Sequence, residues 1–279
     1  MAMKKFLFAL LTTTLLAGCA TTQTTNSGAV GVQRKQFMML SEKQVEGMAA
    51  QSYVQTLKEA ESKKALNPNP QQTERVRAIA NRLIAQTSVF RPDAVNWKWE
   101  VNVQDSKEVN AYCMPGGKIM VYTGLIDKLH PTDDELAAVM GHEMAHALRE
   151  HGREQMSRAY AQQIGLLGLA AIIGVTSKDR NAASNTLLLG STVTAVALTL
   201  PNSREAEREA DRIGLELAAR AGYDPNAAVS LWKKMGAQGG AKPPQWMSTH
   251  PSEESRMQDL QRLIPTVMPL YEEAKAKNG

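Results

Sequence analysis

His142 and His146 stand four residues apart, with Glu143 beside the first, in the run His142-Glu143-Met144-Ala145-His146. On a helix, that spacing projects both imidazoles from one face on successive turns. Two imidazoles so placed can bind a single zinc ion, and Glu143, one step round, can reach a water at the metal without being drawn onto it. The chemistry is hydrolysis by zinc-activated water, with Glu143 as general base. A catalytic zinc usually takes three protein ligands and keeps one position open. The metzincin continuation needs glycine and histidine at fixed later offsets, where Arg149 and Gly152 stand instead, so that class is excluded. His151 points to the far side of a continuing helix and reads as an exposed helix-end residue.

A third ligand is offered by Ser203 to Ala218. At about 100° per residue the charges of this segment separate into two faces. Glu205, Arg208, Glu209, Arg212 and Glu216 share one side, where they can pair with each other in solvent. Glu207 and Asp211 lie opposite, with Ser203, Ala210, Gly214 and Ala218. Two carboxylates among small residues suggest close approach to another helix, with the acids facing something cationic. Glu207 as third ligand and Asp211 as hydrogen-bond acceptor for a zinc-bound imidazole meet that demand. The plainer alternative is an exposed charged helix.

These residues need elements to hold them. Thr132-Asp133-Asp134-Glu135 is a capping box that launches the metal helix. Leu136, Ala137, Val139, Met140, Ala147 and Leu148 make it apolar nearly all round, the mark of a buried helix. It is expected to run to about His151, with Gly152 as its stop. Upstream, Ser41 to Gln44 caps a helix to about Leu66, Asn67-Pro68-Asn69-Pro70 breaks it, and Gln71 to Val89 carries a second helical pattern. From Trp97 to Val103 the period changes to two, and Lys118 to Tyr122 is another short strand after the Pro115-Gly116-Gly117 turn. Helical patterns dominate thereafter. Asp224-Pro225 caps a helix through Met235, and Glu253 to Leu263 makes the last packed one. The fold class is α+β, mostly helical, with one small sheet and a buried HExxH helix.

The chain has 279 residues, with 32 Lys plus Arg against 28 Asp plus Glu and 5% aromatics. That balance offers neither a basic face nor a stacking platform, so nucleic acid is excluded as a partner. Residues 1–18 combine two lysines, an apolar stretch from Phe6 to Leu16 and small residues, a secretory signal too short to span a bilayer. Leu16-Ala17-Gly18-Cys19 resembles the bacterial lipobox, which implies a lipidated Cys19 at the outer membrane. Residues 19–40 read as a lipid-anchored flexible tether, because Thr, Gln, Ser and Gly give them little to bury. Residues 41–279 form the globular domain. Cys113 then has no partner in its own chain; it is either buried and inert, the preferred reading, or paired between chains. The uncharged stretches Ile164 to Val175 and Leu187 to Leu200 fall short of a span and read as a helical hairpin on or near the active cleft, with a membrane-dipping hairpin as the alternative.

Asn110-Ala111, Pro115-Gly116-Gly117-Lys118-Ile119, Thr123-Gly124-Leu125, the HExxH helix and Ser203-Arg204-x-x-Glu207-x-x-Ala210-Asp211 occur in that order. From about Thr73 to Leu263 the chain resembles the HtpX/BepA-like zinc metallopeptidases, relatives of the CAAX prenyl proteases. The resemblance implies a gluzincin-type, zincin-fold catalytic domain with one Zn2+ on His142, His146 and Glu207. It also matches Thr249-His250-Pro251, with Arg256 and Leu260 downstream, and places His250 near the metal, supporting the oxyanion or occupying the open position at rest. Without the resemblance, His250 reads as a helix-start residue before Pro251. Lys118, Ile119, Met120 and Val121 resemble the family's edge strand, which would hold an extended peptide by strand addition. The implied role is cleavage of unfolded or misassembled envelope and outer-membrane proteins at the periplasmic face, with envelope assembly machinery as a partner. The rival reading is a chaperone-like assembly lipoprotein with a resting or structural zinc site.

Overall fold

The computed structural model describes residues 21–172, 202–237, 245–250 and 254–278. The signal segment, Cys19 and the stretch Leu187 to Leu200 lie outside the described residues, as does the end of the stretch from Ile164.

Two short strands, β1 (Thr21–Thr22) and β2 (Gln36–Phe37), pair antiparallel ahead of α1 (Glu42–Ser62). The Ser41 hydroxyl accepts from the Gln44 amide, and Gln44 reaches back to the cap backbone, so the expected capping box opens α1. Such a cap is worth about 1 kcal/mol. Asn69 caps α2 (Pro70–Ile84), which has proline at its first position, where no amide donor is needed. The helix stops short of the expected Val89; Thr87–Val89 tightens into a separate 3-10 turn.

The sheet contains β3 (Glu100–Gln104), β4 (Ala111–Met114) and β5 (Lys118–Tyr122) in the order β3-β5-β4. β5 runs parallel to β3 and antiparallel to β4. Gly116 and Gly117 turn the β4-β5 hairpin at φ of 77° and 80°. A Cβ on Gly117 would sit 2.6 Å from the Trp99 ring, so glycine is required there for space as well as for φ. The expected edge strand is therefore the middle strand. Ile119, Met120 and Val121 are buried between neighbours, and among the described residues β4 forms an outer edge of the sheet. Strand order depends on which segments meet in space, and the local pattern of Lys118 to Tyr122 holds no record of it.

After α3 (Thr123–Leu129) comes α4 (Asp133–Leu148), the metal helix, opened by the expected Thr132–Glu135 capping box. It ends earlier than expected: Glu150 adopts φ of 54°, and α5 (His151–Ile172) starts on a new axis with Gly152 inside its first turn. α6 (Arg204–Arg220), capped by Ser203, crosses α4. α7 (Asn226–Ala237), the short α8 (Gln245–Thr249) and α9 (Glu254–Asn278) complete the helical layer, and α9 continues past the expected Leu263. The main core lies between the sheet, α2, α4, α6 and α7. Among the described residues no helix is long and apolar enough to cross a membrane.

Residues 21–40 are not a loose tether. Val30 and Val32 are buried in the main core, and the Val30 amide donates to Glu216 Oε2 at 3.0 Å. The Gln36 amide nitrogen donates to Arg149 O at 2.6 Å, and Thr24 Oγ1 donates to the same carbonyl at 3.0 Å. That carbonyl lies at the C-terminal end of α4, where the helix offers it no donor of its own. Polar residues here serve a buried backbone group, and composition alone reads them as solvated.

Candidate metal centre

α4 and α6 meet backbone to backbone. A Cβ on Gly214 would lie 2.7 Å from the His142 amide nitrogen, and one on Gly141 would lie 2.9 Å from the Gly214 carbonyl oxygen. This crossing sets the acids of α6 against the histidines of α4. His142 Nε2 is 3.1 Å from His146 Nε2 and 3.5 Å from Glu207 Oε2, while His146 Nε2 is 3.3 Å from Glu207 Oε1. His250, just after α8, joins them: its Nδ1 is 3.2 Å from His142 Nε2 and 2.9 Å from Glu207 Oε1. The four side chains are buried. Four ligands at zinc bond lengths of about 2.0–2.1 Å in a tetrahedron stand about 3.3–3.4 Å apart, and the observed separations bracket that value. The arrangement therefore fits zinc in both donor type and spacing.

The outer nitrogens are held as a metal site requires. Asp211 Oδ1 lies 3.0 Å from His142 Nδ1, the partnership expected from the spacing of Glu207 and Asp211. Arg256 binds Asp211 through two nitrogens at 2.6 and 2.7 Å, and its Nη1 is 2.8 Å from Glu207 Oε2. With Nδ1 of His142 and of His146 engaged outward, the two Nε2 lone pairs face each other beside a carboxylate, a pocket that draws in positive charge. Burial opposes charge on His142, but Asp211 and Glu207 outweigh it and raise its pKa to about 9. Burial holds His146 well below the usual histidine range. Glu207 stays ionised despite its burial because His250, His142 and His146 surround it.

Glu143 stands at the edge of this cluster. Its Oε1 accepts from Trp246 Nε1 at 2.5 Å and is 3.5 Å from His250 Nε2. In front of it opens a cavity of about 320 Å³, walled by Tyr112, Cys113 and Met114 of β4 and by Val45, Met48 and Ala49 of α1. His250 follows α8 directly, its amide donating to Trp246 O, and the helix start expected at Pro251 lies outside the described residues. Lys118 to Val121 do not line the cavity. Cys113 is buried and unpaired among the described residues; burial raises its thiol well above the usual range, as the inert reading expects.

Two expectations are corrected. His151 is buried: its Nδ1 meets His146 Nδ1 at 2.9 Å and its Nε2 meets Glu209 Oε2 at 3.0 Å. Glu209 and Glu216, expected in solvent, are buried too, whereas Glu205 and Arg208 are exposed and Arg212 is half-buried on Asp259. Arg149 and Arg34 hold Glu209, and with His151 they lower its pKa to about 2 against the cost of burial. Trp246 was missed by sequence reasoning, although its four-residue spacing from His250 was a usable signal.

Residues 70–264 match the model of Peptidase family M48. The chain belongs to this family. The matched range agrees with the extent of the sequence resemblance. The bovine mitochondrial metalloendopeptidase OMA1 is 36% identical over 207 residues, covering 71% of this chain and 38% of the relative. Its counterpart from Arabidopsis thaliana is 38% identical over 180 residues, covering 64% and 34%. The beta-barrel assembly-enhancing protease of Yersinia pestis is 27% identical over 207 residues, covering 72% and 40%. The chain thus spans well under half the length of these relatives.

Proposed function

We propose that this M48 protein is a zinc-dependent endopeptidase that cleaves unfolded or misassembled envelope proteins while lipid-anchored through Cys19 at the periplasmic face of the outer membrane. The observation that carries the catalytic part is Glu143, poised beside a buried His142, His146 and Glu207 set at the mouth of a cleft. A zinc ion in that set would polarise the scissile carbonyl and make water a better nucleophile near neutral pH. Glu143 takes the proton from the attacking water and returns it to the leaving amine. Trp246 fixes the Glu143 carboxylate through Oε1, leaving Oε2 for the proton. An extended peptide would pair with the outer edge of β4, Ala111–Met114, placing its backbone along the cleft; main-chain pairing favours unfolded segments over one sequence.

His250 stands among the donors, which supports reading this arrangement as a resting one. His250 must leave its place at the cluster for substrate to enter, after which it can assist the oxyanion. The lipobox-like run Leu16 to Cys19 supports the location, and the name of the Yersinia pestis relative supports a partner in β-barrel assembly. The test is Glu143→Gln in the purified chain. It should abolish cleavage of unfolded protein while zinc content and folding are unchanged. Retained cleavage would remove Glu143 from the mechanism. Envelope function that survives the substitution would favour the chaperone-like reading.

A further inference from the structure

His142 and His146 need their outer nitrogens held, and α6 supplies an acid for each by a different route. Asp211 touches His142 directly. Glu209 cannot do the same for His146, because it lies about 200° round α6 from Glu207. His151 fills the gap, with 2.9 Å to His146 Nδ1 on one side and 3.0 Å to Glu209 Oε2 on the other. We propose that His151 is a positioning residue for the metal ligand His146, and that Arg34 of the N-terminal segment helps lock it through Glu209.

The hydrogen positions follow from the donor set. His146 can offer Nε2 to a metal only if its proton sits on Nδ1, and that proton then points at His151 Nδ1. His151 must accept there, which puts its own proton on Nε2, aimed at the Glu209 carboxylate. Each hydrogen bond fixes the next, so His146 has one tautomer and one ring orientation. Glu209 is fixed in turn. Arg149 Nε and Nη2 donate to it at 3.1 Å, and Arg34 Nε donates at 2.9 Å. Arg34 also forks onto Glu154 at 2.7 and 2.8 Å. Arg34 lies outside the residues that match the M48 family, so the segment ahead of the catalytic unit takes part in holding its metal ligand.

This inference rests on the zinc reading of the cluster, and the experiment separates the two. Zinc affinity of the full chain is measured by competition with a chromophoric chelator, beside the visible spectrum of the cobalt-substituted protein and the thermal transition of the zinc-free form. His151→Ala should weaken zinc binding about 10- to 100-fold and alter the cobalt spectrum. His151→Gln should restore most of the affinity, because its amide oxygen can accept from His146 Nδ1 while its NH2 group donates to Glu209. Arg34→Ala should give a smaller loss of the same kind. Should His151→Ala fail to fold, Glu209→Gln reads the same link from its other end. Wild-type affinity and spectrum in His151→Ala or Glu209→Gln would overturn the relay, as would a folded His151→Gln no better than alanine. A wild-type chain that binds no zinc would instead sink the metal site itself.

Discussion

Replacing Gly214 with alanine adds one methyl at the point where the metal helix and the Glu207 helix touch. The new Cβ would stand 2.7 Å from the His142 amide nitrogen and 2.9 Å from the Gly141 carbonyl carbon. Ordinary contact needs about 3.4 Å or more, so the backbones must part by several tenths of an ångström. Overpacking of this kind costs about 1–3 kcal/mol. At about 2–4 °C per kcal/mol for a domain of this size, the melting temperature should fall by roughly 2–12 °C. The separation also exceeds the roughly 0.2 Å tolerance of metal-ligand distances, and it pulls Glu207 from the histidines. Zinc affinity should therefore fall together with stability. Gly47→Ala is the control, because Gly47 lies in α1 with nothing within 4 Å of an added Cβ. There alanine should stabilise by about 0.5–1 kcal/mol through helix propensity. Melting curves and chelator competition on both variants make the comparison. If Gly214→Ala melted and bound zinc like Gly47→Ala, the close crossing would not be what sets the site.

Asp211→Asn should weaken zinc binding about 10- to 100-fold, because the amide is a weaker partner for His142 Nδ1 and leaves Arg256 half-paired; metal competition checks it. His250→Ala should raise the initial rate of cleavage of a short peptide, because His250 otherwise holds a place in the donor cluster; a lower rate would instead assign it to the oxyanion. Glu154 and Glu209 have folded pKa values of about 2 against ordinary values of 4.5, since Arg34, with Arg158 and Gln36 on Glu154 and His151 on Glu209, overcomes the cost of burial. A depressed carboxylate pKa stabilises the fold above pH 4.5 and loses that stabilisation as pH falls toward 2. The zinc-free chain should therefore show a falling melting temperature between about pH 5 and 2, and Arg34→Ala should flatten that fall.

The metal site was legible wherever one unbroken helix carried the pattern. The four-residue step from His142 to His146 and the same step from Glu207 to Asp211 each stay on one face, and the small residues around Gly214 marked the crossing. His151 was misplaced because the helical phase was carried through a break. The chain turns at Glu150, so position 151 begins a new helix pointing back at His146. Glu209 and Glu216 were misplaced for a related reason. A helical wheel separates faces but cannot show that a second layer, here residues 21–37 and the start of α5, covers the charged one. Strand order escaped as well: β5 has the sequence of a paired strand and its hairpin with β4 is local, yet only the parallel pairing with the distant β3 makes it central.

Zinc content of the purified chain, determined beside its cleavage of unfolded casein with and without chelator, tests the proposed function most directly. The expected result is one zinc per chain, cleavage abolished by the chelator, and recovery when zinc is restored. A folded chain that holds no zinc, or that cleaves equally well without it, would contradict the proposal.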